Sequence, residues 1–181
     1  MSILDALSRR RSQPKVTAEA PSHAELLPLV AAAASIADHG SLRPWRLIEL
    51  RGDARARLGA TFAEASGADE QDTEKLVAKA MRASLLIAVV ASLKPSPKVA
   101  DWEQEAVASG IAHTLSLLLD DAGWGVMWRS GPLTRSLPVR VLHRLADNEQ
   151  LLGWLYVGRL DGSGKAGGRQ PFPAEQYLSV L

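Results

Sequence analysis

The chain has 181 residues, of which 46% are hydrophobic and 23% charged, and its formal net charge is +1. This length and composition indicate one globular domain over residues 1–181 and exclude a disordered chain. The near-neutral charge argues against binding to nucleic acid or a membrane surface, and the absence of cysteine excludes disulfides and thiolate chemistry. With no secretory signal and no apolar run of roughly 20 residues, we expect a cytoplasmic protein.

Helical and strand patterns intermix along the chain. Ser22 and Glu25 form a capping box that starts a helix, and residues 84–92 are a continuous apolar run typical of a central strand. Further helices are predicted at 2–10, 53–66, 70–82, 101–122 and 136–146, and further strands at 45–50, 124–129 and 151–159. This order predicts an α/β (α+β) three-layer sandwich, in which helices flank a mixed central sheet. Residues 160–181 are expected to form an extended tail that wraps onto a partner subunit.

Three local patterns carry more specific expectations. The helix from Ser22 has an apolar stripe that continues to Ala37. Residues 103–105, EQE, are expected to be a solvated first helical turn. Small residues at 106–110 would let another backbone or a flat ligand come close.

Motifs for independent chemistry are absent or incomplete. Residues 162–168, GSGKAGG, match G-x-G-x-x-G, but only 14 residues follow Gly167, too few for the required helix, so a flexible loop is predicted. The four histidines show no metal-ligand spacing, so no metal site is expected, and no G-x-S-x-G nucleophile motif occurs. No catalytic side chain is therefore assigned, and a protein without reactive groups of its own often takes them from a cofactor.

An ordered set of short stretches resembles the nitroreductase family of flavoproteins, in particular its compact YdjA-type branch of NAD(P)H nitroreductases. The stretches are RRS (10–12), ADHGSLRPW (37–45), KVADWEQE (98–105), MWRSG (127–131) and GWLYVG (153–158). The likeness runs from about Leu4 to Arg159. It implies a homodimer that binds FMN at the subunit interface, with NAD(P)H as reductant.

The resemblance also implies a set of contact residues. Arginine and serine suit the FMN phosphate, a charge at Arg129 would stabilise reduced flavin, and Gly125 and Gly131 would let main-chain N–H groups approach a flat ring. Ser35 is expected one helical turn before His39 and facing the same pocket. The predicted FMN contacts are Arg10, Arg11, Ser12, Ser35, His39, Arg43, Trp128, Arg129 and Ser130. The predicted NAD(P) contacts are Leu118, Leu119, Asp120, Asp121, Ala122 and Gly123.

The implied activity is ping-pong, two-electron reduction of a small nitroaromatic, quinone or similar electron-poor acceptor. The sequence departs from the family pattern in having Pro14 and Lys15 where an arginine is common, and Arg43 where a glutamine is common. These departures bear on substrate choice more than on FMN binding. Two alternatives stay open: another flavin reaction on the same fold, such as dehalogenation or dehydrogenation, and a non-catalytic FMN carrier or regulatory dimer.

Overall fold

The computed structural model describes residues 2–160, 162 and 172–181. The main helices are α1 (Ile3–Arg9), α2 (His23–Ala33), α3 (Asp53–Ser66), α4 (Glu70–Ala80), α5 (Asp101–Asp121) and α6 (Leu137–Leu142). The strands are β1 (Trp45–Leu50), β2 (Leu85–Ser92), β3 (Trp124–Arg129) and β4 (Glu149–Arg159). Short 3-10 turns occur at His39–Ser41, Pro132–Arg135 and Ala174–Gln176. Among the described residues, no helix has both the length and the apolar character needed to cross a membrane.

The four strands form one sheet in the order β1-β2-β4-β3, and each neighbouring pair is antiparallel. In the described part of the chain, the parallel pairing is a single bridge between Ser12 and Val126. The sheet is therefore antiparallel rather than mixed as expected. Continuous apolar runs are typical of strands covered on both faces, which parallel strands usually are. Here the same pattern arises because helices cover both faces of an antiparallel sheet.

Successive side chains of a strand point to opposite faces, and this alternation divides the core in two. On one face, Ile87 and Val89 of β2 pack with Ile111 and Leu115 of α5, and α2 completes this layer. On the other face, residues of β2 and β4 pack against α3, α4 and α6, among them Leu86, Val90, Leu58, Phe62 and Val139. The predicted three-layer α/β architecture is confirmed.

The predicted capping box at Ser22 is present, with the Ser22 hydroxyl accepting from the Glu25 N–H and the Glu25 side chain accepting from the Ser22 N–H. The predicted helical stripe is wrong at its end, because α2 stops at Ala33 and Ala37 lies outside it. The turn tightens there, with the N–H of Ser35 donating to the Ala32 carbonyl at 3.2 Å. No glycine or proline marks this end, so the apolar spacing in the sequence predicted a longer helix than the one observed.

The expectation of a solvated turn at 103–105 is also wrong. The Gln104 side chain is buried, and it bonds both main-chain groups of Lys94: its oxygen accepts the N–H at 2.8 Å and its nitrogen donates to the carbonyl at 2.9 Å. At Gly110 a Cβ atom would lie 2.9 Å from the Ile36 side chain, so the neighbour at this small residue is a side chain and not the backbone or flat ligand that was expected. Of the predicted loop at 162–168, Gly162 is described and 163–168 lie outside the described residues.

Candidate functional site

A small pocket lies where the end of α1, the middle of α5 and strand β3 meet. It has a volume of about 100 Å³ and is lined by Arg10, Ser12, His113, Ser116, Val126 and Trp128. The chain after α1 runs alongside β3, because Ser12 bridges to Val126 and the Gln13 N–H donates to the Val126 carbonyl at 2.9 Å. Three of the predicted FMN contacts, Arg10, Ser12 and Trp128, therefore meet in one place.

The two predicted arginines at the end of α1 differ in their surroundings. The Nη1 atom of Arg11 donates to the carbonyls of Ser8, Arg9 and Arg10 at 2.7, 3.1 and 3.0 Å, which caps the C-terminus of α1. Arg10 instead lines the pocket. Partial burial raises the pKa of the nearby Asp120, and the charges of Arg10, Arg9 and Arg11 all oppose this rise. Arg10 thus faces the pocket, whereas the Arg11 guanidinium bonds the carbonyls at the end of its own helix.

Two further pocket residues were not expected from the sequence. The ring of His113 meets Trp128 edge to face, with centroids 5.0 Å apart and planes at 74°. Ser116 follows one turn later on α5, and its hydroxyl donates to the Ala112 carbonyl at 2.6 Å. Residues three apart share a helix face, so the spacing of His113 and Ser116 was a usable signal.

At the end of β3, residues of the predicted FMN-contact run 128–130 lie on opposite faces of the sheet. Trp128 packs on the α5 face of the sheet, whereas the Arg129 guanidinium lies on the opposite face, 5.2 Å from the centre of the Tyr156 ring. The period of two along a strand requires this separation. Beyond the strand, the main-chain N–H groups of Ser130 and Gly131 make no hydrogen bond within the described residues. Both residues line a second cavity, on the Arg129 face of the sheet, and neither lines the Arg10 pocket.

The expected role of Gly125 is wrong. A Cβ atom at this position would lie 2.8 Å from the Val16 side chain and 2.9 Å from that of Leu160. Gly125 therefore lets the segment after α1 pack closely on β3, and the side on which a Cβ atom would lie is filled by protein side chains. Gly131, by contrast, has φ of 144° and nothing within 4 Å of a Cβ position, so its surroundings are open.

His39 lies in a separate, more open groove of about 450 Å³, which also includes Ile36, Trp102, Ala106 and Gly110. Its Nδ1 atom is 2.9 Å from Oε2 of Glu103, and this contact lowers the pKa of Glu103. Glu103 also accepts the Ala100 N–H at 3.1 Å, which ties His39 to the start of α5. An exposed Trp102 beside this pair gives the groove a large aromatic surface.

The loop that carries His39 is conformationally constrained. Ser41 and Arg43 both have positive φ, 51° and 47°, although neither is glycine. The main-chain N–H of Arg43 donates to the Asp38 carboxylate at 2.7 Å, which helps to hold this conformation. Non-glycine residues with such angles persist where the surrounding structure fixes them, often at functional sites.

The expected relationship between Ser35 and His39 is wrong, because α2 ends before both residues. The Ser35 hydroxyl donates to the Ala32 carbonyl at 2.7 Å, and Ser35 is not among the residues that line the His39 groove.

The predicted NAD(P) segment forms the end of α5 and the turn into β3. Leu119 is fully buried and Leu118 packs against the same core, whereas Asp121, Ala122 and Gly123 are exposed. Gly123 ends the helix with a φ of 85°. Any ligand contact in this segment would therefore be made by its exposed half.

Comparison with known proteins identifies the family. The model of the Nitroreductase family matches residues 7–159. An Escherichia coli (strain K12) protein named "Putative NAD(P)H nitroreductase YdjA" is 31% identical, over 98% of this chain and 100% of that protein. The chain belongs to the nitroreductase family. The predicted family is confirmed, as is the prediction of an enzyme, because this is a family of oxidoreductases.

Solved structures of the nitroreductase fold match throughout the chain. A nitroreductase-like family protein from Bacillus cereus superimposes with a TM-score of 0.85 at 21% identity, covering 100% of this chain and 96% of that one. The FMN- and NADPH-dependent nitroreductase NfnB from a Sphingopyxis strain gives 0.75 at 18% identity, covering 100% and 99%. At these identities the likeness establishes the fold.

Proposed function

We propose that this nitroreductase-family chain is an FMN-dependent NAD(P)H oxidoreductase that reduces a small electron-poor acceptor, such as a nitroaromatic or a quinone. The observation that carries the proposal is the pocket in which Arg10 and Ser12 lie beside Trp128 and His113. It combines a fixed cation, a hydroxyl and aromatic rings, the groups that suit the phosphate and the flat ring of a flavin nucleotide. The names of YdjA and NfnB support the same activity.

The residues present fit part of an FMN molecule. Arg10 and Ser12 would hold the phosphate, and the rings of Trp128 and His113 would lie beside the ring system of the flavin. A pocket of about 100 Å³ is smaller than the ~300–1,000 Å³ typical of cofactor-sized ligands. One chain therefore supplies one portion of the site.

A second copy of the chain would supply the rest. The seven residues of α1 include none that is buried, and Ile3 and Leu4 are 76% and 73% exposed. An isolated helix of this length is unstable in water, so its apolar side needs a partner surface. In a homodimer, the groove of His39 and Trp102 on one subunit would complete the Arg10 pocket of the other. This arrangement would explain why the predicted contacts are divided between two places in one chain.

When bound, FMN supplies the hydride chemistry, taking a hydride from NAD(P)H and delivering it to the acceptor. The side chains of this protein would bind and orient the reactants and exclude water. Glu103 holds Nδ1 of His39, so Nε2 would be the ring nitrogen that faces the site. The exposed turn from Asp121 to Gly123 is the part of the predicted NAD(P) segment that could contact the nicotinamide cofactor. Since both reactants would use one ring face in turn, we expect parallel lines in steady-state plots.

A visible spectrum tests the proposal most directly. Purified protein reconstituted with FMN should be yellow, and NADH or NADPH should bleach it under anaerobic conditions until an acceptor restores the colour. A protein that stays yellow would instead be a flavin carrier or regulatory dimer. A protein that bleaches but reduces neither nitroaromatics nor quinones would carry out another flavin reaction. A protein that remains colourless with excess FMN contradicts the proposal.

A further inference from the structure

A second cavity lies on the opposite face of the sheet from Trp128, between the end of β3 and helices α3 and α4. It has a volume of about 210 Å³, and we call it the Arg129 cavity. Its walls include the rings of Phe62, Trp154 and Tyr156, and its charged lining residues are Arg129 and Lys79. No acidic side chain is among the described residues that line it. The cavity thus combines an aromatic interior with an unbalanced positive charge.

The aromatic walls are rigid parts of the core. Phe62 is 5% exposed and Trp154 4%, and their rings meet edge to face with centroids 5.2 Å apart. The indole N–H of Trp154 donates to Nε2 of the buried His143 at 3.0 Å, which fixes the orientation of the ring. The space between these rings is therefore preformed, and it is smaller than the ~300–1,000 Å³ of drug-sized ligand sites. A single aromatic ring suits it.

Arg129 has no partner of opposite charge among the residues that the structure describes. Within the part of the chain that the structure describes, it makes no ion pair, and its Nε atom is buried without a hydrogen-bond acceptor. Its guanidinium carbon lies over the face of the Tyr156 ring, 5.2 Å from the ring centre. Burial raises the pKa of Tyr156, and the charges of Arg129 and Arg82 oppose the rise, so two cations act on this region. Arg129 as a whole is partly buried, but a buried guanidinium N–H normally has a carboxylate or phosphate acceptor, because losing water without a partner is costly.

We propose that the Arg129 cavity binds a small single-ring aromatic carboxylate, with the ring between Phe62 and Trp154 and the carboxylate on Arg129. The fork of the guanidinium matches the two oxygens of a carboxylate, and its unpartnered Nε is one of the donors. The ammonium of Lys79, on the exposed side of α4, adds attraction at the entrance. The site would be filled independently of FMN, since the sheet separates it from the Arg10 pocket.

Benzoate is the test probe, and benzyl alcohol is its uncharged counterpart. Calorimetric titration of the full-length protein, with and without saturating FMN, should give saturable benzoate binding of similar affinity and much weaker binding of benzyl alcohol. NMR contacts should connect the benzoate ring protons to Phe62 and Trp154. Equal affinity for the two probes, displacement of benzoate by FMN, or no saturable binding would overturn the proposal.

Substitutions then test where the carboxylate of benzoate binds. Arg129→Met should weaken benzoate binding by roughly 10–100-fold, the range for lost hydrogen bonds to a charged group. Lys79→Met changes an exposed residue and should fold normally, with a loss of about 2–5-fold, as for a partly screened charge. Lys75→Met is the matched control: Lys75 is one turn earlier on α4, pairs with Asp72 and does not line the cavity. Wild-type affinity in both Arg129→Met and Lys79→Met, or an equal loss in Lys75→Met, would show that benzoate binds elsewhere.

Discussion

Nδ1 of His39 lies 2.9 Å from Oε2 of Glu103, although the two residues are 64 positions apart in the chain. The contact joins the constrained loop after α2 to the first turn of α5. Both side chains are partly exposed, so the pair adds little to stability, as surface ion pairs usually do. Its effect should instead be on the position of His39 in the proposed site.

His39→Ala should reduce the turnover rate by about 10–100-fold, equivalent to about 1.4–2.7 kcal/mol of transition-state stabilisation. Glu103→Gln should give a smaller reduction in the same direction, because the imidazole remains but is less well oriented. Steady-state rates at saturating FMN measure both effects. His23→Ala is a matched control, since His23 pairs with Glu49 in the same way away from the proposed site. An equal loss of rate in His23→Ala would indicate a general structural effect.

The neighbouring arginines 10 and 11 should behave differently. Arg10→Ala removes the guanidinium that lines the pocket and should weaken FMN binding by about 1.5–3 kcal/mol. Arg11→Ala removes the cap of α1 and should have a smaller effect on FMN affinity. Quenching of flavin fluorescence during titration measures both dissociation constants. If Arg11→Ala has the larger effect, the cap must exchange for a ligand contact when FMN binds.

How far the sequence predicts this molecule depends on the range of the signal. Helix α3 and strand β1 begin and end where their patterns predict, since capping residues, glycines and apolar spacing are local. The end of α2 was mispredicted because a tertiary turn, unmarked by glycine or proline, stops it at Ala33. The burial of Gln104 depends on Lys94, which only the folded chain brings near. When both faces of a sheet are covered, the sequence likewise carries no local signal for parallel or antiparallel pairing of its strands.

The candidate site shows the same limit. Arg10, Ser12 and Trp128 share a pocket, as predicted. Arg129 does not join them, because successive side chains of β3 point to opposite faces of the sheet. That alternation was available in the sequence. His113 was not selected because a single histidine carries no motif, and its significance comes from the rings and charges that three elements bring around it.

Glycine 153 should not tolerate a side chain. Its φ is 139°, and a Cβ atom would collide with the Arg129 carbonyl oxygen and lie 2.7 Å from Nε1 of Trp128. Gly153→Ala should therefore lower the free energy of unfolding by roughly 3–5 kcal/mol, from backbone strain and overpacking together. FMN binding should weaken too, because the end of β3 must shift. Gly67→Ala is the control: it also has positive φ but open surroundings, so only strain of about 1–2 kcal/mol is expected.

The Arg46–Glu149 pair should make stability fall in acid. Glu149 is buried, and both its oxygens accept from Arg46, at 2.6 and 2.7 Å, which lowers the pKa of Glu149 to about 2. A carboxylate whose pKa is lower in the folded state stabilises the fold above its unfolded pKa, and this contribution disappears as the pH falls from about 4.5 to 2. Glu149→Gln should therefore cost roughly 2–3 kcal/mol at pH 7 and flatten the pH dependence in that window.

Urea unfolding at fixed protein and FMN concentrations between pH 7 and 3 tests this expectation. Glu19→Gln is the control, because Glu19 forms an exposed pair with Arg159 and should change little. Burial lowers the pKa of His143, so its contribution is lost as the pH falls below about 6.5 and is separable from that of Glu149. An unchanged acid profile in Glu149→Gln would show that another carboxylate dominates.

Assembly and cofactor binding should be lost together. In the proposed homodimer, Ile3 and Leu4 of α1 are covered by the partner, so the double variant Ile3→Glu, Leu4→Glu should be monomeric in light scattering. Because each flavin site would need groups from both subunits, the monomer should also lose its FMN absorbance. Met81→Glu introduces the same charge at an exposed apolar residue next to α4, and it should leave both properties unchanged. A double variant that stays dimeric would place the interface elsewhere, and a monomer that retains FMN would show that one chain binds the cofactor alone.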